Sequence, residues 1–150
     1  MLLCGRKSIR TIQQTRSGTR TACANHSYRK GRRMIIYARP KPKQRARVAN
    51  GRAYTPRETK EYEAMIAQEW QAQERRKCSG AVGVDIEFTF VPAKTRNGYH
   101  TSRPDLSNLI KAIEDGLNRL AYDDDAQIAE IHAVKKYGAE NCIKVEVKEI

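Results

Sequence analysis

RPDLSNLIKAIEDGLNRLAYDDDAQIAEIHAVKKYG, residues 103–138, joins a helical apolar period to an acidic turn and then to a strand-like run. Leu106, Leu109, Ile110, Ile113, Leu117 and Leu120 recur at steps of three and four. This predicts a helix from Asp105 or Ser107 to Leu120, with Asn108, Lys111, Asp115 and Arg119 on another face. Asp123, Asp124 and Asp125 make the turn out of it, and Ala126 to Lys136 reads as a strand. Acidic residues thus bracket one helix, and two carboxylate groups brought together can hold Mg²⁺. Each fragment also has a plain reading. Three successive aspartates suit a solvated turn, and an aspartate at a helix start suits a cap on orphan N–H groups. A helix of roughly fifteen residues is about 22 Å long. Whether its ends meet at one cation therefore depends on how the aspartate turn folds back.

Working outward, Ile143, Val145 and Val147 alternate with Lys144, Glu146 and Lys148, the period of a final strand. Only Gly-Ala-Glu-Asn, residues 138–141, separates it from the preceding strand, so the two are expected to pair as an antiparallel hairpin. On the other side, Val82, Val84, Ile86, Phe88 and Phe90 alternate with Gly83, Asp85, Glu87 and Thr89, a strand with one buried face that Pro92 ends. The loop after it brings Lys94, Arg96 and Arg103 up to the acidic segment, where cations can offset phosphate charge.

Thr55-Pro56-Arg57-Glu58 has the form of a capping box that starts a helix. Tyr62, Met65, Ile66 and Trp70 mark its buried face, Arg75, Arg76 and Lys77 suit its negative end, and Gly80 is the stop. Met34 to Ala38 is a short apolar run for a buried strand, closed by Pro40. Between them lies a proline-punctuated basic loop, residues 39–56, with an Asn50-Gly51 turn signal. It reads either as a phosphate-tracking loop or as a solvated surface. The order β-α-β-α-β-β predicts an α/β (α+β) domain over residues 34–150, a single mixed sheet with helices packed on it.

Charge separates the chain into a cationic front and a mildly acidic back. Residues 1–57 hold sixteen of the 29 Lys and Arg residues and none of the 17 Asp and Glu residues, within a net charge of +12. A polyanion is the expected partner, since each phosphate contact releases condensed counterions. An anionic membrane surface would need a basic helix carrying large apolar residues, and the front has few. No apolar run approaches the ~18 residues needed to span a bilayer. Cys4, Cys23, Cys78 and Cys142 form no CxxC pair and read as reduced cysteines of a cytosolic protein. With His26, His100 and His132 equally scattered, zinc sites and nucleophilic triads have no support. The absence of GxxxxGK[ST] argues against nucleotide hydrolysis. Residues 1–33, rich in Arg, Ser and Thr, read as a disordered basic extension. A DNA-binding tail, a transit peptide and an upstream extension ahead of a start at Met34 all fit it.

The string DLSNLIKAIEDGL at 105–117, followed by DDAQI at 124–128 and preceded by PKQRAR at 42–47 and AYTP at 53–56, resembles the RusA family of Holliday junction resolvases. The resemblance covers residues 34–149. It implies a homodimeric, Mg²⁺-dependent endonuclease, with Mn²⁺ as a substitute, that nicks four-way DNA junctions in recombination and repair. It also implies a phage or prophage origin and a cytoplasmic place in a bacterial host. Carried over position by position, the motif places catalysis on Asp105, Asp125 and Lys111 and metal binding on Asp105, Asp125 and Asp124. Asn108 and Ser107 support the site. Lys41, Lys43, Arg45, Arg47, Arg52, Lys94, Arg96 and Arg103 are the expected DNA contacts. Ser107 stands where the family motif has a second aspartate. A serine brings no charge, so loss of about 3 to 4 kcal/mol of transition-state stabilisation would slow cleavage by roughly a hundred- to a thousandfold. Two other functions stay open on the residues, a branched-DNA-binding protein that no longer cuts and a small basic RNA-binding protein.

Overall fold

The computed structural model describes residues 31–73 and 76–150. The basic extension lies almost wholly outside the described residues, as do Cys4, Cys23, His26 and Arg75. Strand β1 is Arg32–Ile36, β2 Arg47–Ala49, β3 Arg52–Tyr54, β4 Val82–Phe90, β5 Ile128–Tyr137 and β6 Cys142–Glu149, with helices α1 Arg57–Gln71 and α2 Leu106–Leu117. The fold is mixed α+β, as the periodicities predict, and β1 takes in Arg32 and Arg33 ahead of Met34.

The main sheet runs in the order β1-β6-β4-β5, and β2 and β3 form a separate two-stranded ribbon. Strand β4 pairs parallel with β5 and antiparallel with β6. This corrects the expected hairpin, because β5 and β6 flank β4 instead of pairing with each other. The linker crosses the end of β4, where Gly138 N–H donates to Phe90 O (3.0 Å) and Val91 N–H to Asn141 Oδ1 (3.0 Å). Two strand spacings are about 10 Å, within the reach of four extended residues. The physical reason for the insertion lies in β4. Its Val82, Val84, Ile86, Phe88 and Phe90 are all buried, so it takes an inner position where both backbone edges are paired. Strand β5 is mostly exposed over its first half and serves as an edge.

Both helices cover one face of the sheet. Ile66 and Trp70 of α1 and Leu109, Ile113 and Leu117 of α2 meet Met34, Phe88, Ile143 and Val145 in one core. Gly116 sets how closely the helices approach, because a Cβ there would lie 2.9 Å from Cβ and Cγ2 of Ile66. No helix among the described residues is long and apolar enough to cross a membrane.

Local boundaries differ from expectation in four places. Helix α1 has Pro56 at its N-cap with no side-chain cap bond, and Glu58 instead accepts from Gln44 Nε2 (3.0 Å), so the capping box does not form. Helix α1 also ends at Gln71, which leaves Arg76 and Lys77 beyond its last turn. Helix α2 stops at Leu117 because Asn118 turns extended and Arg119 adopts φ 66°. Leu120 therefore reaches the core from outside the helix. Asp125–Gln127 forms a single 3-10 turn, which delays β5 to Ile128. The Asn50-Gly51 turn forms as expected, with φ of 51° and 73°. Two successive positive φ values match the twist of a two-residue hairpin, and β2 and β3 extend from it.

Candidate functional site

The aspartate turn is held by Gln127. Its Oε1 accepts from Asp123 N–H (2.7 Å) and Asp124 N–H (3.1 Å), and its Nε2 donates to Gly80 O (2.9 Å) ahead of β4. Asp124 Oδ1 accepts from Ala126 N–H (2.8 Å), completing a capping box on the 3-10 turn. Asp124 is thus committed to holding the turn. Asp123 points elsewhere, its Oδ1 accepting from Lys77 Nζ at 2.9 Å. The third aspartate returns to the helix, where Lys111 Nζ donates to Asp125 Oδ2 at 2.8 Å. The fold-back therefore joins the turn to the second turn of α2 and not to its first residue.

Lys111 has further acidic neighbours on its own helix, Glu114 Oε2 at 3.4 Å and Asp115 Oδ1 at 3.6 Å. The bond to Asp125 is the main cause that holds its ammonium well above the ordinary lysine range, with partial burial opposing. Reciprocally, the Lys111 bond holds the Asp125 carboxyl below its ordinary value. The pair stays fully charged at neutral pH. Beneath it lies Tyr122, 1% exposed, whose hydroxyl donates to Glu114 O (2.9 Å). Burial first, and the acids around it second, push its phenol above the ordinary range.

Lys43 extends the network. Its N–H donates to Asn108 O (2.9 Å), and its ammonium pairs with Asp115 of α2 and, at 3.1 Å, with Glu63 Oε1 of α1. Burial works against its charge, but the bonds to Asp115 and Glu63 outweigh it and raise its pKa. Lys43 thus ties the basic loop to both helices, a different task from the phosphate contact expected of it. Lys41, Arg45, Arg47, Arg52, Lys94, Arg96 and Arg103 are all exposed.

Asp105 is the N-cap residue of α2, yet its side chain makes no cap bond. Its backbone carbonyl accepts from Leu109 N–H at 3.2 Å, and the exposed carboxylate has no partner among the described residues. The approach to it is fastened by Lys135 of β5, whose Nζ donates to Ser102 O (2.7 Å) and Pro104 O (2.6 Å). Ser107 and Asn108 are exposed. Asn108 enters the network through its backbone carbonyl, while its side-chain amide has no partner among the described residues.

Of the three aspartates expected at a metal, Asp105 makes no side-chain bond among the described residues, Asp125 has one oxygen on Lys111, and Asp124 has one on Ala126 N–H. No group of three His, Cys, Asp or Glu side chains converges among the described residues. Mg²⁺ commonly takes one or two carboxylates and completes its shell with water and substrate phosphate oxygens. The carboxylates of Asp105 and Asp125 are hard oxygen donors, the chemistry such an ion takes. The sequence reading missed Lys135, which carries no local signal, and the Glu114, Asp115 and Glu63 acids, which read as ordinary helix surface. Gln127 was visible in the DDAQI string, but its clamp required the turn geometry.

The family model of endodeoxyribonuclease RusA matches residues 37–148. The chain is similar to the uncharacterized protein YqaN of Bacillus subtilis (strain 168), 25% identical over 138 residues, a match covering 79% of this chain and 96% of that protein. It is also similar to the crossover junction endodeoxyribonuclease rusA of Lactococcus phage r1t, 42% identical over 53 residues, covering 35% of this chain and 40% of that protein. With the family match running from just after β1 to the end of β6, the chain belongs to the RusA endodeoxyribonuclease family.

Proposed function

We propose that this protein is a structure-selective endodeoxyribonuclease that resolves four-way DNA junctions by paired nicks in recombination and repair. The observation that carries the reading is the Lys111–Asp125 contact of 2.8 Å, which unites the two separated parts of the family motif. Asp105 and Asp125 would hold Mg²⁺ or Mn²⁺. When bound, such an ion polarises a phosphodiester and acidifies a bound water. The chain's own residues supply the rest. Lys111, kept cationic by its three acidic neighbours, stands ready to stabilise negative charge on the phosphoryl oxygens. Phosphate arriving at this point competes for Lys111 and frees Asp125 from it. Gln127 and Asp124 hold the aspartate turn that carries Asp125, and Lys135 steadies the backbone ahead of Asp105. A four-way junction has approximate two-fold symmetry, so paired nicks call for a homodimer with paired sites.

Ser107 favours a second reading, a scaffold that binds branched DNA and cuts it slowly or not at all. The test is a synthetic four-way junction incubated with wild type and Ser107→Asp in Mg²⁺, Mn²⁺ or EDTA. Cation-dependent symmetric nicks by wild type support the nuclease. Nicks by Ser107→Asp alone identify a disabled one. Tight binding to RNA without preference for junctions would overturn both.

A further inference from the structure

We infer that the β2–β3 ribbon is the base-reading element of the protein and enters the major groove of a DNA arm next to the cleavage site. The inference rests on the proposed action on DNA. Three features of the ribbon support it.

Its shape comes first. The ribbon stands apart from the main sheet, and every residue from Arg47 to Tyr54 is exposed. The major groove, about 12 Å wide, admits a two-stranded ribbon.

Its two faces come second. Arg47 lies opposite Tyr54, Ala49 opposite Arg52, and Val48 opposite Ala53. Alternation therefore puts Arg47, Arg52 and Tyr54 on one face and Val48 and Ala53 on the other. Arg47 and Arg52 are diagonal neighbours, about 7 to 8 Å apart, which matches two base steps of ~3.4 Å. Neither guanidinium has a partner among the described residues. Each can donate two bonds to O6 and N7 of a guanine.

Its root comes third. A ribbon used for reading needs a fixed register against the site, and Lys43 supplies one. Four residues ahead of Arg47, Lys43 is bonded to Asn108 O, to Asp115 and to Glu63. Asn108 and Asp115 lie on the same face of α2 as Lys111, one turn away on either side. The groove position of the ribbon and the phosphate position of Lys111 are therefore coupled through one helix. The surrounding charge agrees, since no acidic residue occurs before Glu58.

The test is dimethyl sulfate protection of guanine N7 on a synthetic four-way junction, with the full chain in EDTA at fixed salt, so that binding is read without cleavage. Wild type is expected to shield guanines two base steps apart on an arm. Arg47→Ala with Arg52→Ala should remove that protection and weaken binding to guanine-bearing arms about ten- to a hundredfold. Both side chains are exposed, so the variant keeps the fold, checked by its melting temperature. Protection that survives the double variant, or uniform weakening on every sequence, overturns the inference and makes the ribbon a phosphate clamp. Ribbon-dependent protection by a protein that never nicks in Mg²⁺ would sink the nuclease reading and leave the ribbon standing. Failure to bind the junction would overturn both.

Discussion

Lys111 has two kinds of acidic partner within reach of its sequence position, and it takes both. Asp115 lies one helical turn on, the ordinary surface pair, and Asp125 arrives from beyond the helix at the shorter distance of 2.8 Å. The second contact is the one that local pattern could not supply, because it depends on the fold-back of the aspartate turn. Lys111→Met is therefore expected to lower single-turnover nicking about a hundredfold or more with junction affinity in EDTA little changed. A loss of affinity without loss of rate would instead make Lys111 a binding residue. Glu87 gives a test of electrostatics away from the site. Lys136 first and Lys144 second hold its carboxyl below the ordinary 4.5. Folding favours its ionised form, so its contribution to stability is present above 4.5 and is lost as pH falls through the lower folded value. Glu87→Gln should be less stable than wild type in urea at neutral pH, and the gap should close in acid. A gap that persists in acid would assign the loss to packing. Asp105, Asp125 and Lys111 were legible as motif positions, whereas the duties of Asp123 and Asp124, one paired with Lys77 and one capping a turn, required coordinates.

At the level of elements, type was easier to read than neighbourhood. The alternation in β4 and β6 and the apolar stripes of α1 and α2 identified strands and helices, since periodicity records which faces are buried. Periodicity does not say which strand lies alongside which. A four-residue link serves a hairpin or a step across one strand end, and the pairing of both β4 edges decides. Gly116 tests the packing of the two helices. Alanine gains about 1 kcal/mol over glycine in helix propensity, but its Cβ would lie 2.9 Å from Ile66 and 3.3 Å from Glu63 O. Overpacking costs typically ~1 to 3 kcal/mol, so Gly116→Ala is expected to be net destabilising in urea unfolding. A stabilised variant would contradict the close approach. Lys135→Met tests positioning. With its two carbonyl contacts gone, nicking should fall about ten- to a hundredfold while the melting temperature moves little and junction binding in EDTA is retained. A large drop in melting temperature would make Lys135 structural.

For the whole molecule, the net charge of +12 governs how it meets a polyanion. Lys41, Arg45, Lys94, Arg96 and Arg103 are exposed, and the acids of α2 and of the aspartate turn are partly neutralised by Lys43 and Lys111. Such a surface can draw in DNA and still present carboxylates to a cation. If six to ten phosphates are contacted, junction affinity should fall roughly 10³- to 10⁵-fold between ~50 and ~200 mM salt. A flat salt response would remove the electrostatic account. The most direct measurement of the central claim is end-mapped cleavage of a four-way junction by wild type and Asp125→Asn in Mg²⁺. Paired, symmetric nicks by wild type that disappear in Asp125→Asn, with junction binding retained, are the predicted result. Nicks that survive Asp125→Asn would contradict the site.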